Sequence, residues 1–248
     1  MHSLIAHGQL WTPAWVAALA GSTPTVHVRP SQLSTADGAE IDSIANEGSV
    51  GATFSQSTGT LRPLMRRDNA GPGKHAADFD GVNDLLTGPS ITAVSPDGSW
   101  TAIAVIDLDG LAAGHPTEPW RDAEPFVDAG GYMGLTLRSN GGTPEVGAYR
   151  FRAGTQVVYA TMSGAGVRQV VCASFSHLDG TLLAQAGLGT PVSNVGATTT
   201  TRSGAAQIGG FATNWLNGKV LEVIVWGSFL NTTQRNAVIA GAQAFYSA

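Results

Sequence analysis

Cysteine is nearly absent from this chain. Cys172 stands alone among 248 residues, which excludes an intrachain disulfide and a cysteine-rich zinc site. It lies in the apolar run Val170-Val171-Cys172-Ala173 and is expected to be a small buried core residue. Charge is also scarce, at 12% of residues with a net charge of −5, and lysine and arginine form no block. Nucleic acid is therefore not an expected partner, because phosphate binding needs concentrated positive charge. No window approaches the roughly 18 apolar residues that cross a bilayer, so membrane insertion is not expected. Met1 to Gly21 has no basic start, and His2, His7, Gln9, Thr12 and Pro13 interrupt its apolar residues. It reads as a poor signal peptide, and the expectation is a soluble protein made in the cytoplasm.

Catalytic patterns are missing as well. The histidines, His2, His7, His27, His75, His115 and His177, are scattered without the i, i+3 or i, i+4 companion of a metal-binding helix. No G-x-S-x-G elbow occurs, glycine-rich stretches lack the lysine of a P-loop, and no repeat is evident. Glu40-Ile41-Asp42 begins like a glycosidase strand, E-x-D-x-E or E-x-D-x-x-E, but Ile44 and Ala45 stand where the third carboxylate is needed. The expectation is a protein that is not an enzyme and has no cofactor. Asp107-Leu108-Asp109-Gly110 offers two oxygen donors before a glycine, against the 6 to 8 that calcium takes. It reads as a turn rather than a calcium loop.

What the chain does contain is apolar residues, at 43%, together with 32 glycines and 12 prolines. That is a β-rich profile with a large core and many turns, and a sandwich of this length forms one unit. Thr25 to Arg29 alternates as a strand, and Trp100 to Leu108 is apolar on both faces, as a strand covered on both sides must be. Tyr132 to Leu137, Glu145 to Phe151, Gln156 to Thr161 and Arg168 to Ser176 follow, separated by glycine-rich turns. Even spacing of strands and turns marks an antiparallel sandwich. Leu178 to Leu183 reads as a hairpin, and Thr198 to Ser203 as a loop or exposed edge strand. Two helices frame the strands. Thr12-Pro13 opens a short helix that ends at Gly21. Near the other end Thr232 or Thr233 caps a helix whose stripe Val238, Ile239, Ala242, Phe245 and Tyr246 would seal one end of the sandwich.

The organising stretch is Ala76 to Leu86, where Asp80-Gly81 supplies a tight turn between two extended segments read as a hairpin. Its Phe79-Asp80-Gly81, Asp84 and Leu86 resemble the "FDGxxDxL" signature of concanavalin A-like, laminin-G-like jelly-roll domains. Ile44 stands where that family often has tryptophan. Ile208-Gly209-Gly210, Gly218 to Trp226 and Leu230 to Arg235 are similar to the family's closing "IGG … GxIxEVxxWxxxLxxxxR". The resemblance covers Thr25 to Tyr246. It implies an all-β, antiparallel two-sheet jelly roll at residues 25–248, preceded by an arm at residues 1–24, with a short N-terminal and a C-terminal helix.

Function is read less directly, because this fold hosts many activities. The chain resembles the small laminin-G-like proteins of tailed-phage particles. This implies a virion protein, decorating a capsid or forming part of a tail, with other virion proteins as partners; a homo-oligomer is expected on the separate ground that cyclic oligomers are common and sheet edges need cover. Trp11, Trp15, Arg62, Arg66 and Arg67 are the candidate docking residues. Packing of the two tryptophans on the chain's own sandwich, and simple solvation of the arginine loop, are the alternatives. The other reading is a carbohydrate-binding module that contacts a host or bacterial polysaccharide. Trp120, Tyr132, Asn140, Asn214 and Trp215 are its candidate ligand contacts, chosen as stacking rings and planar amides.

Overall fold

Two antiparallel sheets face each other, and a pair of helices covers the outer side of one of them. The computed structural model describes residues 11–95, 98–109, 123–128, 133–151, 155–164, 166–196, 204–211 and 214–246. The chain begins with α1 (Pro13–Ala20), β1 (Val26–Val28), β2 (Ser43–Ala45), β3 (Thr53–Ser55), β4 (Leu64–Arg66), β5 (Ala76–Asp80) and β6 (Leu86–Ser90). After α2 (Ile91–Val94) come β7 (Trp100–Leu108), β8 (Ala123–Asp128), β9 (Met133–Asn140), β10 (Thr143–Phe151), β11 (Thr155–Thr161) and β12 (Arg168–Phe175). β13 (Leu182–Ala186), β14 (Val192–Asn194), β15 (Ala205–Ile208), β16 (Gly210–Phe211), β17 (Asn214–Trp215), β18 (Asn217–Trp226) and α3 (Thr232–Tyr246) follow.

The first sheet runs β14-β13-β12-β7-β18-β5-β4, with β1 also on β18, and the second runs β11-β10-β9-β8-β15-β6-β3-β2. This is the expected jelly-roll sandwich. Phe54, Phe79, Phe126, Phe175 and Trp100 fill the space between the sheets. β7 shows why its sequence is apolar throughout. Ala102, Ala104 and Ile106 point into that core, while Ile103 and Val105 point outward, under the helices.

Two expectations are corrected. Asp80-Gly81 does not join a hairpin: β5 pairs with β4 and β18 in the first sheet, and β6 pairs with β3 and β15 in the second. The turn therefore hands the chain from one sheet to the other, and Phe79 and Leu86 meet in the core from opposite sides. Its backbone needs glycine, since Gly81 has φ +76° and a Cβ there would lie 2.8 Å from Asn217. The stripe of α3 does not seal an end either. Val238, Ile239, Ala242 and Tyr246 pack with Val16, Ala20 and Trp11 over Ile103, Val170, Cys172 and Ile224, on the outer face of the first sheet. The hairpin around Leu178 to Leu183 is present, as the turn between β12 and β13.

Helix ends follow local chemistry. Thr12 caps α1 by accepting from the Trp15 N–H, and Gly21 ends it at φ +70°. At α3 the cap is Asn231, not Thr232 or Thr233. Asn231 Oδ1 accepts the Gln234 N–H at 3.0 Å, and Gln234 Oε1 accepts the Asn231 N–H at 2.9 Å. That reciprocal pair is a capping box, which a threonine further in cannot form. Arg235, from the closing motif, is buried and donates to the Leu230 carbonyl, fastening the approach to the helix.

A β-bulge between Val220 and Glu222, opposite β7, decides the chemistry under the helices. Val220 and Val223 point into the inter-sheet core, so the extra residue leaves Leu221 and Glu222 both on the helical side. Glu222 is fully buried there. The Trp11 indole N–H donates to its carboxylate at 2.7 Å, and His27 Nε2 makes a short contact with Glu222 Oε1. Arg29 ties the same corner together, bonding the Trp11 carbonyl at 2.6 Å and Glu47 at 2.7 Å. Burial and the neighbouring Glu222 charge hold the Tyr246 phenol well above its ordinary pKa.

Candidate functional site

A cleft of about 390 Å³ opens beside the turn that carries the chain between the sheets. Asp78 and Asp80 reach it from β5, and Asp84 from just after the turn. Arg66 lines it from β4 and Arg62 from just before that strand. Glu40 lies on a segment bridged to Leu64, and Asp109 and Asn217 follow β7 and open β18. Each cation is matched to an acid. Arg66 Nε meets Asp78 Oδ2 at 2.7 Å and Arg62 Nη1 meets Glu40 Oε2 at 3.2 Å, while Lys219, which does not line the cleft, reaches the lining Asp109 Oδ2 at 2.6 Å.

Asp80 and Asp84 form no ion pair with a described residue, and their backbone environment explains their places. Asp80 Oδ1 accepts the Val82 and Asn83 N–H groups at 2.8 and 3.2 Å, bracing the turn. Asp84 Oδ2 accepts the Asp80 N–H at 3.0 Å, and no described residue donates to its Oδ1. Asp84 as a residue is only 5% exposed. Burial raises its pKa to about 6; the Asp80 N–H bond opposes this, and the nearby Asp80 and Asp78 charges add to it.

That shift has a sign. Ionised Asp84 opposes folding, so its penalty is absent below the unfolded value near 4 and grows as pH rises through about 6. Asp84→Asn keeps an acceptor for the Asp80 N–H. We expect it to raise stability at about pH 7.5 by on the order of 1–3 kcal/mol, with the gain gone near pH 4. Paired thermal melts at the two pH values check this, and equal melts at about pH 7.5 would refute it.

The sequence candidates divide. Arg62 and Arg66 line the cleft as ion-paired walls, and Arg67 is exposed, is not part of the lining, and has its backbone N–H bonded to Asp37. Trp215 is half-buried in β17, two residues before the cleft-lining Asn217. Asn140 is exposed at the end of β9, donating to Glu145 at 3.3 Å, and is not part of the cleft. Asn214 is described only as backbone of β17, while Trp120, Tyr132 and Thr198 to Ser203 lie outside the described residues. Trp11 is committed to the chain's own core and is corrected as a docking ring. Trp15 packs edge-on against it with ring centroids 5.1 Å apart. Glu40, Asp78, Asp84, Asp109 and Asn217 were not singled out as contacts by sequence. Asp84 carries a local signal inside the opening motif, while by sequence Glu40 and Asp109 are weighed only as a glycosidase carboxylate and a calcium donor.

A larger cleft of about 440 Å³ beside α3 has its arginine and one of its glutamines held in internal hydrogen bonds. Arg168 bonds Asp107, the Asn69 carbonyl and the Tyr246 carbonyl, and the Gln169 amide holds Ser163 and Gly164. Asp107 is thus a structural anchor. Among the described residues no group of three or more His, Cys, Asp or Glu side chains is placed to hold a metal ion.

No protein-family model matches the chain. No curated protein matches it either. Solved structures do. The receptor-binding domain of botulinum neurotoxin type G superposes with a TM-score of 0.59 at 9% identity, over 89% of this chain and 52% of that one. A Trypanosoma rangeli sialidase gives 0.56 at 11% identity, over 90% and 33%. Domain 4 of AbnA, a GH43 extracellular arabinanase from Geobacillus stearothermophilus solved with arabinotriose, gives 0.53 at 13%, over 87% and 98%. The chain thus spans about half of the toxin domain and a third of the sialidase. These likenesses establish a two-sheet β-sandwich fold.

Proposed function

We propose that this chain is a non-catalytic, lectin-like binding domain that recognises polysaccharide through the cleft beside the Asp80-Gly81 turn. The observation that carries the reading is the convergence of carboxylates, guanidinium groups and the Asn217 amide on one open cleft. Directional donors and acceptors of this kind are what sugar hydroxyls need. The fold neighbours support it, since one was solved on arabinotriose and another toxin binding domain with SialylT. Glu40 is held by Arg62, and Asp78 by Arg66, so these acids serve as fixed acceptors rather than as a nucleophile and acid pair.

A glycan array run with the whole chain tests the reading, once with calcium and once with chelator. Specific binding, equal in both conditions and weakened at least tenfold by Arg66→Ala, is expected. Silence across the array in both conditions would overturn it. The resemblance to laminin-G-like proteins of tailed-phage particles supports a finer proposal: the domain is displayed on a virion, as an oligomer, and touches host-surface glycans there. Antibody labelling of intact particles is the measurement for that step, and unlabelled particles would count against it.

A further inference from the structure

Asparagine followed by glycine occurs twice in the chain, at Asn140-Gly141 and Asn217-Gly218. The pair is chemically special, because glycine sets no side chain beside its own backbone nitrogen, which can then approach the preceding carboxamide. The fold treats the two copies in opposite ways. Asn140 ends β9 and pairs with Thr143, which opens β10, so Gly141 and Gly142 alone make the turn. Their φ values, +59° and +90°, are those of a two-residue hairpin turn with both centres in the left-handed region. All four residues are exposed, and an added Cβ at either glycine meets nothing within 4 Å. The Gly141 N–H lies outside the strand pairing, and no described group accepts from it. Among the described residues the Asn140 amide is held by one bond, from Nδ2 to Glu145 Oε1 at 3.3 Å.

Asn217-Gly218 is the reverse case. Gly218 is buried inside the first sheet, opposite Phe79 of β5 and Leu108 of β7, and a Cβ there would lie 2.5 Å from the Asp107 carbonyl oxygen. The Asn217 carbonyl accepts the Asp109 N–H at 3.2 Å. The Gly218 nitrogen cannot swing toward the Asn217 side chain without parting β18 from its neighbours.

We propose that Asn140 is a site of spontaneous deamidation and that the fold protects Asn217 from the same reaction. The Gly141 nitrogen attacks Asn140 Cγ; the N–Cγ bond forms, the Cγ–Nδ2 bond breaks, and the proton of that nitrogen leaves with Nδ2 as ammonia. One water then opens the cyclic imide at either carbonyl, giving aspartate or isoaspartate, with no change of oxidation state. Either product loses the donor to Glu145 and sets a carboxylate beside it. Glu145 accepts from Arg138 Nε at 2.6 Å, and the Arg138 guanidinium lies 3.4 Å from the centre of the Tyr159 ring, so the change reaches that stack. Isoaspartate also adds a methylene to the backbone where β9 enters its turn, which disturbs the pairing of residue 140 with Thr143. Glycan binding plays no part in this chemistry, but the amide that lines the cleft, Asn217, is the one the fold preserves.

Peptide mapping by mass spectrometry tests the proposal, after the full chain is incubated in heavy-oxygen water so that only conversion during incubation carries the label. Residue 140 is expected to convert at least about tenfold more than residue 217 in the folded chain, since a ladder residue reacts only through local opening. Conversion at residue 140 should be faster at about pH 9 than at about pH 6, because the attacking nitrogen must give up its proton. In concentrated urea the two sites should convert at similar rates, which assigns the difference to the fold. An intact Asn140, or equal conversion at both sites in the folded chain, would overturn the proposal. A difference that persists undiminished in urea would overturn the protective role of the sheet, because flanking residues would then account for it.

Discussion

Replacing His27 with leucine while leaving Glu222 in place is expected to cost about 3–5 kcal/mol of folding stability. Both side chains are fully buried under the helical layer, and of the carboxylate's hydrogen bonds to described residues the one from the Trp11 indole N–H would remain, with the Tyr246 phenol nearby. Replacing both partners by leucine should cost far less, because two apolar side chains fit the surrounding Leu221, Ile224 and Val238 cluster and leave no charge behind. Urea unfolding of the two single variants and the double variant forms the cycle. A single variant that loses less than about 1 kcal/mol would show that the buried pair does not hold the layer together.

Gly241→Val is expected to dislodge α1. A Cβ at this position would lie 2.5 Å from the Trp11 ring, 2.8 Å from Trp15 and 3.1 Å from Leu19, so α3 comes this close to α1 only because residue 241 has no side chain. Overpacking alone costs about 1–3 kcal/mol, and displacement of Trp11 adds the loss of its bond to Glu222. A total on the order of 3 kcal/mol or more is expected, with a red-shifted tryptophan emission as Trp11 and Trp15 meet water. Unchanged emission together with unchanged stability would show that the helix approach is looser than the contacts indicate.

What the sequence reveals and conceals here has a physical pattern. β7 is legible to the residue, since a strand buried on both faces is a continuous apolar run bounded by polar turns. The turn at Asp80-Gly81 is legible too, but local turn chemistry is the same whether the arms pair with each other or enter different sheets. The stripe on α3 shows that one face is buried, not what buries it. Glu222 is hidden for a further reason: in Val220-Leu221-Glu222-Val223 nothing marks the bulge that turns a carboxylate out of the core. The cleft suffers from distance along the chain. Glu40, Asp84 and Asn217 are far apart in sequence and converge only when β5 lies beside β18.

The pairing of β1 with β18, and of Trp11 with Glu222 across 211 positions, also sets the order in which a ribosome can deliver a finished molecule. At about 5–20 residues per second, α1 and β1 wait on the order of 10–40 s before β18 and α3 emerge to receive them. Until then the apolar outer faces of β7 and β12 lack the cover that α3 supplies. Slowing synthesis lengthens that exposure, so the yield of native protein should depend on translation speed and chaperone supply through the late arrival of β18 and α3.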